Sequence, residues 1–143
     1  MAEDSTVPVL KQELMNGVFK GAPSGVADID AHVSMYVSGD REVSIIAASE
    51  TEANVRKFIG RTIKDFKYGY DAQVTMNTRF RRLSEYVAGG TVTAGQYVKF
   101  EYATGAINGQ VITWTPGTDD EDQIVGLCWY GGVDTGTVEI LEL

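Results

Sequence analysis

From residue 89 onward, short apolar runs alternate with turn residues at near-regular spacing, and this pattern restricts the fold more than anything else in the chain. Residues 97–102 (Tyr-Val-Lys-Phe-Glu-Tyr) alternate as a half-buried strand does, after a strand or turn lead-in at 91–96. Residues 103–109 end in Asn108-Gly109, a hairpin signal, and 110–114 form the returning strand. Pro116-Gly117 and the acidic run Asp119-Asp120-Glu121-Asp122 make a loop. Residues 124–130 read as a buried strand, 131–136 as a turn, and 137–143 as a closing strand with strict alternation. Short strands with such punctuation predict a mainly β fold, a small antiparallel β-barrel or sandwich.

The rest of the chain adds less regular elements. Residues 32–37 and 43–48 read as two strands around a turn at 38–40. Ser49 or Thr51 caps a short helix, Glu50 and Glu52 sit near its positive end, and Val55, Phe58, Ile59 and Ile63 form its apolar stripe; Gly60 shortens or breaks it. Residues 71–77 read as a further strand, while Phe80, Leu83 and Tyr86 fit a helical turn or a twisted strand equally well. Residues 1–30 are poor in aromatics. Pro8 biases Val7 toward an extended conformation, residues 11–15 fit a helical turn ended by Asn16-Gly17, and 21–25 read as a loop. This segment is expected to be an extended N-terminal arm, with a β-rich domain over 31–143. Within that domain 31–88 is a hairpin-plus-helix elaboration and 89–143 the core barrel half.

Charge excludes some functions. The net charge of -8 opposes sequence-independent binding to nucleic acid and attraction to an anionic membrane surface. The single cysteine, Cys128, forbids an intramolecular disulfide. Residues 1–6 lack the basic start and apolar run of a signal peptide, and no run approaches the ~18 apolar residues of a membrane span. A chain made and kept in a cytoplasm, or in whatever assembles there, is expected.

Against this acidic background, residues 56–82 hold Arg56, Lys57, Arg61, Lys64, Lys67, Arg79, Arg81 and Arg82 with only Asp65 and Asp71. One reading is a basic face that docks on an acidic partner; the other is scattered solvated side chains. Tyr68 and Tyr70 flank Gly69 in a loop, which suits an interface as well as ordinary packing. His32 has no second histidine, serine or cysteine in a catalytic pattern, and Cys128 lies between Leu127 and Trp129 as a buried, inert thiol. No catalytic residue, metal site or cofactor is expected. The acidic run 119–122 reads as a solvated, self-repelling loop, with a weak cation site as the alternative.

The last third of the chain resembles the capsid decoration, or cement, proteins of tailed phages, whose domain is a small β-tulip-like barrel. The shared elements are Thr91-Val92-Thr93-Ala94-Gly95, Asn108-Gly109-Gln110-Val111, Ile124-Val125-Gly126-Leu127 and Gly136-Thr137-Val138-Glu139-Ile140, in that order. The resemblance implies a non-enzymatic virion protein, made in the host cytoplasm and placed on the outer surface of the capsid. It implies the major capsid protein and copies of itself, in a homotrimer, as partners. Residues 31–88 have no counterpart in the shortest members of that family. On this reading Val7, Pro8, Val9, Leu10 and Leu14 of the arm bind the capsid, residues 7–10 by adding a strand to a sheet edge. Arg56, Arg61, Lys64, Tyr68, Tyr70, Arg79, Arg81 and Arg82 are the second interface candidates. The alternatives are another virion module (a head fibre or tail part) and a carbohydrate- or small-ligand-binding module with Trp114 and Trp129 as a stacking platform.

Overall fold

Met35 and Val37 point inward from a strand whose other residues are half-exposed, the period-two pattern that closes a barrel around a dry centre. The computed structural model describes residues 9–14, 17–101 and 109–143. In it β2 (Val18–Pro23), β3 (Ser34–Gly39), β4 (Glu42–Ile45), β5 (Phe58–Thr62) and β6 (Val74–Thr78) form a closed barrel in the order β2-β4-β3-β5-β6. The β2–β4 pair is parallel and the others are antiparallel. The remaining strands are β1 (Val9–Glu13), β7 (Arg82–Val87), β8 (Tyr97–Phe100), β9 (Val111–Thr113), β10 (Gly126–Tyr130) and β11 (Thr137–Glu142). They form a six-stranded sheet ordered β1-β7-β11-β10-β8-β9.

The fold is mainly β, as expected, but the barrel is not where the sequence pattern put it. Residues 31–88 were expected to be an elaboration; the closed barrel lies within 18–78. Residues 89–143, expected as the barrel half, belong to the sheet. That sheet curls, because a parallel bridge between Ala88 and Val111 brings β9 back to the residue that follows β7. Tyr86, Val98, Val111, Cys128, Val138 and Ile140 fill the space inside the curl. The opposite face carries Leu83, Leu127, Trp129 and Leu141 into one cluster with barrel residues such as Phe19, Val43 and Met76. Strict alternation along β11 therefore sorts side chains between two buried faces, which is why Val138 through Glu142 are all buried.

The N-terminal arm is corrected for the residues the structure describes. β1 runs antiparallel to β7, with Val9 opposite Glu85 and Glu13 opposite Arg82, and β2 closes the barrel against β6. The helical turn expected at 11–15 is strand through Glu13. Every β1 side chain is exposed, so backbone pairing rather than burial holds the strand, and composition does not reveal it. Val7, Pro8, Met15 and Asn16 lie outside the described residues, as does Asn108 of the expected hairpin.

The helix is shorter than its apolar stripe suggested. α1 spans only Glu52–Val55, with the Thr51 hydroxyl accepting from the Asn54 amide. Phe58 and Ile59 are in β5, and Ile63 follows it. Phe80 lies just before β7, and Leu83 and Tyr86 are in it, which resolves the helix-or-strand ambiguity in favour of strand.

A charged contact fastens the barrel to the sheet. Arg41, in the β3–β4 turn with φ 54°, donates from Nε and Nη2 to the two Glu139 oxygens, both at 2.9 Å. Lys11 on β1 lies 2.6 Å from Glu85 and 3.4 Å from Glu139, and the Asp40 carboxylate accepts from the Gly131 amide. The Arg41 hydrogen bonds, helped by Lys11, hold the buried Glu139 carboxyl below the usual range. Glu139→Gln is expected to cost about 1–2 kcal/mol at neutral pH, since Arg41 and Lys11 stay largely solvated when their partner is lost. A carboxyl with a lowered folded pKa contributes stability above its unfolded value of roughly 4.3 and loses it as pH falls further. Urea titrations should show the gap between wild type and variant constant near neutrality and narrowing in acid. A gap independent of pH would mean that the carboxylate charge does not matter.

Candidate functional site

Barrel and sheet meet along an open furrow that gathers part of the basic stretch. Arg56 follows α1 and Arg79 follows β6, and both reach Tyr97 at the start of β8. Arg79 donates to the Tyr97 hydroxyl at 2.6 Å, and that hydroxyl donates to the Arg56 carbonyl at 2.8 Å. The furrow here has a volume of about 720 Å³, with Ile46, Val55, Phe58 and Ile124 as apolar lining and Glu121 as an acidic one. A cleft of about 350 Å³ shares Phe58 and Arg79 with it and adds His32, Arg61 and Asn77. Another of about 260 Å³ shares Arg56, Tyr97 and Trp114 and adds Gln96 and Pro116.

Arg56, Arg61 and Arg79 are thus brought together from the predicted interface set. Lys64, Tyr68 and Tyr70 lie on the connection between β5 and β6 instead; Tyr70 is 90% exposed, and the Tyr68 amide donates to Asp28. Arg82 pairs with Glu142 at 3.2 Å, and the Arg81 carbonyl accepts from the Leu14 amide, which places both beside β1. In the arm set, Val9 and Leu10 are about half exposed on β1. Leu14 is corrected: it is buried in the shared core and cannot touch a partner.

The furrow's other walls were not foreseen. Phe58 was read as a helix residue and Tyr97 as an ordinary strand residue. They meet only because β5 and β8 come from different layers of the fold, and no local spacing signals that. Trp114 and Trp129 form no stacking platform. Both are buried, Trp114 donating from its indole to the Asp120 carbonyl at 2.8 Å, and Trp129 set edge-on to Phe19 at 4.9 Å. The acidic loop is less repulsive than expected. Asp119 bridges Lys99 at 2.6 Å and accepts from the Thr115 amide, and the Lys99 hydrogen bond lowers its pKa. Cys128 is buried, and desolvation pushes its thiol up to about 12, so it is no nucleophile at neutral pH. His32 is exposed by the furrow with φ 65°, while Cys128 sits inside the curled sheet.

No family model matches the chain, and no curated protein matches it. A solved structure, the head fiber gp8.5 N base in bacteriophage phi29, is similar at 18% identity over 88% of this chain and 92% of that one, with a TM-score of 0.35.

Proposed function

We propose that the protein is a structural virion component that binds the outer surface of an assembled phage capsid and stabilises it by bridging neighbouring major capsid proteins. The observation that carries this reading is where the family-like elements fall. Val92 of the first pairs with Gly132, Val111 of the second lies in β9, and Gly126-Leu127 of the third pairs with both β8 and β11. Thr137 to Ile140 of the fourth open β11. The second, third and fourth pieces thus fall in strands of one sheet and the first is bridged to the turn between β10 and β11, so the resemblance is to a structural unit.

Its action is thermodynamic, without turnover. A protein that binds only the mature lattice stabilises that lattice by mass action, and several copies joined in a trimer multiply weak contacts. β1 offers the docking element: among the described residues it is an edge strand with one side of its backbone unused by the sheet and with Val9 and Leu10 exposed.

Co-sedimentation with undecorated mature capsids tests this, comparing wild type with Val9→Ser/Leu10→Ser. Both side chains are exposed, so the variant is expected to melt within ~2 °C of wild type. Saturable binding weakened in the variant is the expected result. Equal binding by both proteins would move the docking site away from β1. No binding to any expanded shell would sink the capsid reading.

A further inference from the structure

The furrow has the wrong charge for this chain. The protein carries -8 overall, yet the described walls of the furrow and its side clefts bring Arg56, Arg61 and Arg79 against one acidic side chain, Glu121, with Leu143 and its main-chain carboxyl also on the wall. Among the described residues neither Arg61 nor Arg79 has a carboxylate partner. Arg79 is held by neutral groups, the Tyr97 hydroxyl at 2.6 Å and the Phe80 ring face at 5.1 Å, and Arg61 donates to the His32 carbonyl. A guanidinium fixed this way presents its remaining donors in a set direction, which favours bidentate capture of a carboxylate. Among the described residues Arg56 is paired only with Glu52, which is 82% exposed, so that bond exchanges at little cost.

We propose that this furrow docks an extended, acidic segment of a partner protein. Its three parts share wall residues and stay open to solvent, which suits a chain laid along them rather than a small molecule enclosed in one. Apolar Val55 and Phe58 beside the arginines fit a segment that alternates acidic and aliphatic side chains, since an extended chain presents its two faces at period two. The chain's net charge supplies the selectivity. It repels polyanions at long range, while a short acidic segment gains from local contacts within a Debye length. The proposal does not depend on the capsid reading.

The test uses the full chain and a fluorescein-labelled peptide of alternating glutamate and leucine, followed by fluorescence anisotropy. A lysine–leucine peptide and an oligothymidine serve as comparison probes. Saturable binding of the glutamate peptide is expected, weakened about tenfold or more by Arg61→Glu/Arg79→Glu, reduced less by Arg79→Gln, and unaffected by Lys20→Glu on the barrel exterior. All of these positions are exposed, and melting midpoints confirm that the variants fold. Absence of binding, preference for the lysine peptide or the oligothymidine, or equal binding by wild type and the double variant overturns the proposal. Because no capsid is present, failure here leaves the co-sedimentation result standing, and the reverse also holds.

Discussion

Replacing Trp129 with alanine is expected to cost about 4 kcal/mol and to lower the melting midpoint by roughly 12 °C. Trp129 is carried by β10 in the sheet but spends its side chain on the barrel. Its ring packs edge-on against Phe19 and lies over Gly21, where a Cβ would come within 2.6 Å of the indole. β2 thus lacks a side chain at the point where the indole enters, and position 21 is glycine for that reason. Alanine at 129 empties a site walled by both layers, and a closed barrel on one side has little freedom to collapse into it. The residue also contributes outside its ring, since its carbonyl accepts from the Arg41 amide at 2.9 Å and so helps hold the turn that carries the Glu139 contact. Guanidinium titration measures the cost. Since one core cluster contains residues of both barrel and sheet, wild type is expected to unfold in a single transition. A loss below about 1 kcal/mol, or two separate wild-type transitions, would show that the layers are energetically independent.

Strand identity was legible where burial leaves a period. Met35 and Val37 in β3, and Val138, Ile140 and Leu141 in β11, announce themselves because one face or both are dry. The layer arrangement was not legible. The regular pattern after residue 89 describes a curled sheet as well as it describes a barrel, because each needs short alternating strands. Exposed β1 gave no apolar signal, and the stripe at Val55, Phe58, Ile59 and Ile63 fits a helix by spacing alone. Tertiary context decides the last case, since Ile59 and Thr62 are buried in the barrel and Gly60 meets a neighbouring backbone. For the furrow, charge clustering between Arg56 and Arg82 marked the stretch that supplies its arginines. It could not separate Arg56, Arg61 and Arg79 from Arg81 and Arg82, because that division depends on which strand ends face β8.

Gly60→Ala isolates that backbone approach. Gly60 lies in β5 between β3 and β6, opposite Met35 on one side and Thr78 on the other. A Cβ built there would overlap the Asn77 carbonyl oxygen, a backbone atom that cannot rotate away. Its φ is not in the left-handed region, so the constraint is space rather than conformation. Relief requires β5 and β6 to separate, and a closed barrel transmits that movement to every other pair. About 3 kcal/mol of destabilisation is therefore expected, at the upper end of what overpacking costs. Gly90→Ala is the matched control, because nothing lies within 4 Å of a Cβ there and its φ is also ordinary. It should change stability by no more than about 0.5 kcal/mol, and in the stabilising direction if it only restricts the unfolded chain. The same clash has a functional reach, since Phe58 and Arg61 on β5, Asn77 on β6 and Arg79 just after β6 flank it. A Gly60→Ala protein that folds should bind the acidic peptide more weakly than wild type even with every arginine in place. Equal, mild effects at positions 60 and 90 would mean that β5 and β6 do not approach this closely, and the barrel closure on which the furrow depends would fall with that contact.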